Sequence, residues 1–143
     1  MSFNVLIVDD SHSMRSVIKK IISISGFKMD QCYEAGNGKQ ALEILSKTWV
    51  DVILSDLNMP EMNGMELLSA LKGDNVLQEI PVIIVSTEGS EERRKLVLKM
   101  GAKQFIKKPF SPEHVRKILY EVIGVGEDGT YEGNERGDES GDF

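Results

Sequence analysis

Residues 5–22 read V-L-I-V-D-D-S-H-S-M-R-S-V-I-K-K-I-I, and the pattern changes within them. Val5 to Val8 is an unbroken apolar run with no polar alternation, as expected of a strand covered on both faces. After the polar D-D-S-H-S, residues Met14, Val17, Ile18, Ile21 and Ile22 recur at helical spacing. A strand followed directly by an amphipathic helix is the unit from which the rest of the chain is read.

The unit repeats. Gly26 breaks the first helix, and a weakly patterned segment from Lys28 to Ala35 reads as a strand at a sheet edge. Asn37-Gly38 then opens a second helix carrying Ala41, Ile44 and Leu45. Val52 to Ser55 is a third strand, and Met65, Leu68 and Leu71 mark a third helix with Gly73 just past its end. Pro81 to Val85 reads as a fourth strand, begun by a proline, which a first strand position tolerates. Leu96, Val97 and Met100 define a helix with a charged outer face. Gln104 to Lys107 is a fifth strand, and Ser111-Pro112 has the cap-then-proline signature before Val115, Ile118, Leu119 and Val122.

Strict β/α alternation with short links implies right-handed crossovers, hence an α/β fold with a parallel sheet covered by helices on both faces. Ligands of such sheets bind beyond the carboxyl ends of the strands, at a topological switch point. What each strand delivers there is therefore the informative quantity.

A chain of 143 residues suits one domain with a sizeable core. With 41% hydrophobic and 28% charged residues and no apolar run near bilayer length, it is not expected to insert into a membrane. The start, M-S-F-N-V-L-I-V-D-D, lacks the basic region and cleavage site of a secretory signal, so a cytoplasmic protein is expected. The one cysteine, Cys32, can form no internal disulfide and reads as a small buried apolar residue. The formal charge of −6 is concentrated: residues 126–143 hold seven acids, one arginine and five glycines, which leaves residues 1–125 neutral. That Gly-rich acidic segment has too little apolar surface to offset its ordering entropy and is expected to be a mobile tail following a domain of residues 1–125. It is not expected to hold a helix-turn-helix effector domain, and no basic face for nucleic acid is evident, so direct nucleic-acid binding is not expected.

The strand ends carry chemistry. The first strand ends in Asp9-Asp10, the third in Asp56, the fourth in Ser86-Thr87 and the fifth in Lys107-Lys108-Pro109. Converging carboxylates repel unless a cation joins them, and a hard divalent ion, Mg²⁺ best of all, is the natural complement. Three carboxylates against one metal and one lysine come close to neutrality, and an arriving phosphoryl group would meet two cationic partners.

Taken together, Asp9-Asp10, the S-D-L-N-M-P run carrying Asp56, V-S-T-E at 85–88 and K-P-F at 108–110 resemble the receiver domain of two-component signalling. The match runs in order and spacing over about residues 3 to 125. It is most similar to stand-alone chemotaxis response regulators of the CheY type, and it implies a flavodoxin-like strand order of 2-1-3-4-5.

The resemblance assigns roles. Asp56 would be the nucleophile that receives a phosphoryl group from a phosphohistidine or a small phosphodonor. Asp10 and Asp56 would coordinate Mg²⁺ with the backbone carbonyl of Asn58, while Asp9 would orient a metal-bound water. Lys108 would draw off phosphoryl charge, and its bond to Pro109 is expected to be cis. Ser86 matches the switch hydroxyl, with Thr87 one position later. Phe105 takes the aromatic switch position, where many relatives have tyrosine. Thr87, Glu88 and Asn58 would modulate the site and how fast water removes the phosphoryl group. Implied partners are a sensor histidine kinase, a downstream target such as a flagellar motor switch component, and a phosphatase. Catalysis would be limited to the chain's own phosphorylation and dephosphorylation.

Blander alternatives stand beside each role. Asp56 could be a turn cap, Asp9-Asp10 could complement a helix dipole, and Phe105 could be simple core. His12 and His114 have no metal-like companions and read as surface histidines. Arg93, Arg94 and Lys95 beside Glu91 and Glu92 read as a solvated face with a Glu91–Lys95 pair, open to use in docking. Rival functions are a phosphorelay intermediate, a regulator outside chemotaxis, or an interaction module that is never phosphorylated. A phosphatase would want D-x-D, and a flavin binder a hydroxyl-rich loop, after the first strand.

Overall fold

The computed structural model describes residues 2–126. Residues 127–143, on which the expectation of a mobile acidic tail falls, lie outside the described residues. The element order is β1 (Phe3–Val8), α1 (His12–Ser25), β2 (Met29–Ala35), α2 (Gly38–Leu45), β3 (Val52–Ser55), α3 (Gly64–Lys72), β4 (Val82–Ser86), α4 (Glu91–Lys99), β5 (Gln104–Lys107) and α5 (Pro112–Ile123), with a 3-10 turn at Leu77–Glu79. All strand pairs are parallel, and the sheet order is β2-β1-β3-β4-β5. The flavodoxin-like expectation and the edge position of β2 are both met.

Alternate residues of each strand serve two cores. Val5, Ile7, Val52 and Leu54 face α1 and α5, meeting Ile18, Ile22, Val115 and Leu119. Leu6, Val8, Ile53 and Ile84 face the other way, onto Ala41, Leu67, Leu68 and Val97 of α2, α3 and α4. Every residue of β3 and β4 is buried, which is why these strands read as continuous apolar runs.

Each α-helix begins on a side-chain cap: Ser11, Asn37, Asn63, Ser90 and Ser111 each accept from a backbone N–H three residues on. At α3 the cap is reciprocal, with Glu66 accepting from the Asn63 amide. Gly26 and Gly124 end α1 and α5 in the left-handed region. Gly73 sits where expected, but at φ −88°, so its ability to adopt a positive φ is not used there.

Several expectations need correction. β4 starts at Val82 and includes Ser86; Pro81 precedes it, with its carbonyl accepting from the Ile53 amide at 3.0 Å. Val17 is 49% exposed and Leu96 43% exposed, so neither belongs to its helix's core face. Cys32 is half-buried on edge strand β2, its thiol pushed up chiefly by burial. Arg94, not Lys95, pairs with Glu91, at 3.3 Å.

The end of the sheet where the strands begin is closed by an aromatic trio. Phe3 stacks on Phe27 at 5.6 Å, and Phe27 meets Tyr120 at 4.9 Å. The buried Tyr120 hydroxyl accepts from the Lys28 amide at 3.2 Å. At the same end Trp49 is 50% exposed, and its carbonyl accepts from Asn4 Nδ2. Tyr120→Phe keeps the ring packing and removes the acceptor, so a loss of about 1 kcal/mol is expected. Thermal unfolding checks it: a midpoint about 3–5 °C lower is expected, and an unchanged midpoint would mean that water satisfies Lys28.

Candidate functional site at the strand carboxyl ends

The site residues stand one position beyond their strands, held by the ladder's next hydrogen bond. Asp9 N–H donates to the Ala35 carbonyl at 3.0 Å, Asp56 N–H to Val8 at 2.9 Å, and Lys108 N–H to Ser86 at 2.8 Å. Backbone pairing in a buried sheet thus fixes three functional groups before any side-chain contact is considered.

The carboxylates of Asp9, Asp10 and Asp56 converge, one oxygen of each lying within 4.8 Å of the others. Asp9 is buried, Asp56 half-buried and Asp10 exposed. Asp9 Oδ2 accepts from Lys108 Nζ at 3.1 Å, an ion pair with side chains 3% and 9% exposed. Asp9 Oδ1 accepts from the Ser11 amide at 2.9 Å, and Asp56 Oδ1 from the Leu57 amide at 2.8 Å. No acid falls in the first turn of α1, whose cap is Ser11, although Asp9 reaches that helix end through the Ser11 amide.

Burial pushes the Asp56 carboxyl above its ordinary value. Lys108 and the Leu57 amide oppose this, while Asp9 and Asp10 add to it. Three carboxylates against one ammonium leave two negative charges in excess, on oxygen donors open to solvent at Asp10. That donor set fits a hard divalent cation in charge and chemistry.

The other predicted residues lie around this cluster. Ser86 is fully buried, its Oγ accepting from the Glu88 amide at 3.1 Å, while Thr87 and Glu88 are exposed. Asn58 Nδ2 donates to Glu88 Oε1 at 3.2 Å, joining the loops after β3 and β4. Phe105 is half-buried and packs with the core under α2, α3 and α4. The Lys108–Pro109 bond is cis, as expected.

Two supporting residues escaped the sequence reading. Arg15 Nη1 donates to the Asp9 carbonyl at 2.7 Å, while its Nε donates to Glu34 at 2.9 Å, so it steadies the acid pair from α1. Gly64 packs so tightly under the loop after β3 that a Cβ there would lie 2.2 Å from the Asp56 carbonyl and 2.9 Å from Leu57 Cα. The Asn63-Gly64 dipeptide was the available signal for a close backbone approach.

Two predictions follow from this geometry. Gly64→Ala must displace the Asp56 loop and is expected to cost about 3 kcal/mol, read as a lower urea midpoint; a midpoint within error of wild type would refute the tight approach. The second concerns pH. A carboxyl whose folded value is raised holds its proton better in the native state than in the unfolded chain. Stability in metal-free buffer therefore falls as pH rises from the unfolded value of Asp56 through its raised folded value, and stays reduced at neutral pH. Asp56→Asn, which keeps the acceptor for Leu57, is expected to raise the neutral-pH midpoint in chelator. A divalent cation is expected to raise the wild-type midpoint. A variant no more stable than wild type in chelator would refute the strain.

Similarity to known proteins agrees with this geometry. The response regulator receiver domain model matches residues 5–120. The chain is 38% identical over 122 residues to a chemotaxis protein CheY homolog of Campylobacter jejuni, covering 85% of this chain and 92% of that one. It is 38% identical over 123 residues to chemotaxis protein CheY1 of Helicobacter pylori, covering 85% and 98%. It is also 40% identical over 121 residues to two-component response regulator ORR5 of Oryza sativa, covering 84% and 88%. Among solved structures, chemotaxis protein CheY4 of Vibrio cholerae superposes with a TM-score of 0.75 at 34% identity, covering 85% of this chain and 99% of that one. With the sheet order, the acid cluster and relatives matched over nearly their full lengths, the chain belongs to the response regulator receiver domain family.

Proposed function

We propose that this chain is a response regulator receiver, a switch thrown by phosphorylation of Asp56. In the transfer, a carboxylate oxygen of Asp56 forms a bond to phosphorus while the P–N bond of a kinase phosphohistidine breaks, and the departing imidazole keeps that electron pair and takes up a proton. A small phosphodonor such as acetyl phosphate would serve in place of the kinase. Water reverses the modification by attacking the acyl phosphate. The chain turns over no separate substrate.

The observation that carries this reading is the convergence of Asp9, Asp10 and Asp56 with Lys108 paired into the cluster. Asp9, Asp10, Asp56 and the Asn58 carbonyl would hold Mg²⁺, which when bound supplies the positive charge that lets a phosphoryl group approach three carboxylates. Lys108 already acts electrostatically on Asp56 and is available to leave Asp9 for phosphoryl oxygens. Ser86, now turned to the Glu88 amide, would swing toward the same oxygens. Phe105, lacking a hydroxyl, would respond by packing alone, which changes the surface seen by a target. Asn58, Thr87 and Glu88 border the path of attacking water and would set the lifetime of the phosphorylated form.

Relatives named as chemotaxis proteins favour a chemotaxis circuit, with a sensor histidine kinase upstream, a target such as a flagellar motor switch component downstream, and a phosphatase. The 40% identity to a rice response regulator, against 38% to the chemotaxis proteins, supports a second reading: a phosphorelay or another circuit outside chemotaxis. Both readings place the chain in the cytoplasm. Among the described residues no helix is long and apolar enough to cross a membrane.

Incubation with acetyl phosphate and Mg²⁺ is expected to add one phosphoryl group by intact mass, and chelator or Asp56→Asn is expected to abolish the gain. Equal labelling of the variant would overturn the role of Asp56. Glu88→Ala is expected to retain full labelling and change the decay of the phosphorylated form severalfold; an identical decay would remove Glu88 from the water path.

A further inference from the structure

The three clustered acids are not equally restrained. Asp9 donates its amide to the ladder and accepts from the Ser11 amide on Oδ1 and from Lys108 on Oδ2. Asp56 has its own ladder bond, to Val8, and accepts from the Leu57 amide. Asp10 is exposed and stands beyond the last paired residue of β1. Among the described residues no hydrogen bond is recorded to its carboxylate or from its amide.

What places Asp10 is therefore the peptide that joins it to Asp9. The oxygen of that peptide accepts from Arg15 Nη1 at 2.7 Å, shorter than the ladder bonds of 3.0, 2.9 and 2.8 Å that hold Asp9, Asp56 and Lys108. Because a peptide is planar, holding its oxygen orients the plane from which the Asp10 side chain departs.

Arg15 is itself held. Its Nε donates to Glu34 Oε1 at 2.9 Å, with the two side chains 16% and 28% exposed, and its Nη2 lies 3.4 Å from His12 Nδ1. Glu34 stands opposite Ile7 in the register of β2 on β1. The planar guanidinium thus reaches from α1 to edge strand β2 and to the end of β1 at once. Such a bridge needs a fork of donors, which the point charge of a lysine does not provide. The Glu34 pair alone would join α1 to β2; the second contact is directed at the carbonyl between two site acids. It involves no atom of the phosphoryl transfer, so it persists when Lys108 leaves Asp9 for phosphoryl oxygens.

We propose that Arg15 is a positioning residue that presents the Asp10 carboxylate to the divalent cation, a role that rests on the cation reading of the acid cluster. Its sign is distinctive. Charge alone predicts that losing Arg15 strengthens cation binding, since a guanidinium is removed and the Glu34 carboxylate is left without its partner. Positioning predicts the opposite: binding weakens by the roughly tenfold or more seen when a group that orients a metal ligand is lost.

The test is a Mg²⁺ titration of the unphosphorylated full chain without phosphodonor, followed by ¹⁵N amide shifts around Asp9, Asp10 and Asp56. Arg15→Ala is expected to bind at least about tenfold more weakly than wild type. Arg15→Lys, which keeps the charge and loses the fork, is expected to bind more weakly than wild type as well. Lys19→Ala, which removes an exposed cation of the same helix, is expected not to weaken binding. In metal-free buffer the Asp10 amide is expected to be rigid in wild type, with an order parameter of about 0.85, and to fall below about 0.6 in Arg15→Ala. Unchanged or tighter Mg²⁺ binding by folded Arg15→Ala would overturn the proposal and leave the cation site standing. Should that variant not fold, wild-type affinity in Arg15→Lys would overturn it equally. Absence of Mg²⁺ binding by the wild-type chain would instead overturn the cation reading, and the role of Arg15 with it.

Discussion

The hydrogen-bond ladder between β1 and β3 is the constraint on which the rest of this structure depends. Val5 to Val8 pair in register with Val52 to Ser55, and both strands are sealed on their two faces by helices. In such surroundings an unpaired amide is costly, so the pairing extends until solvent takes over. It does so where Asp56 donates to Val8, which brings two acidic strand ends to the same depth. β4 and β5 repeat the arrangement one step across, bringing Lys108 to the same rim through Ser86.

The charge distribution at that rim is unfavourable without a further cation. A buried lysine paired to a buried aspartate is poor support for stability, because desolvation offsets much of the attraction. The Lys108–Asp9 pair joins residues 99 apart in sequence, and its value is positional: it sets an ammonium beside Asp56 without neutralising it. Asp56 consequently stays uneasy as an anion, which suits a carboxylate whose neighbourhood is completed by a cation and altered by modification. The support from behind is steric. Gly64 lets the start of α3 approach the backbone of Asp56 and Leu57, and Arg15 holds the Asp9 carbonyl.

The legibility of the sequence varied with the range of the interaction. Apolar runs such as Val52–Leu54 and caps such as Ser111-Pro112 are local signals, and the elements they mark are present with small boundary shifts. The acid cluster was legible because parallel topology obliges strand ends to meet. What escaped depends on neighbours distant in sequence: Phe3, Phe27 and Tyr120 come from three segments, and Arg15 reaches the acid pair from α1. Leu96 and Val17 were misplaced because helical spacing alone does not say how wide a buried stripe is, and α4 buries little beyond Val97. The i,i+3 choice of Arg94 by Glu91 over Lys95 is a rotamer outcome that spacing leaves open.

Trp49 gives the molecule a built-in optical asymmetry. It is the chain's one indole, half in solvent, and its carbonyl is tied to Asn4 at the point where β1 begins. The acid cluster lies at the far end of that strand, about 16 Å away along the strand axis. Ultraviolet emission from this protein therefore samples the pole remote from the carboxylates, and quenching by direct contact with anything bound at the cluster is out of range. A spectral response to events at Asp56 would have to travel the length of the central strands, so emission here gauges how stiffly the sheet couples its two ends.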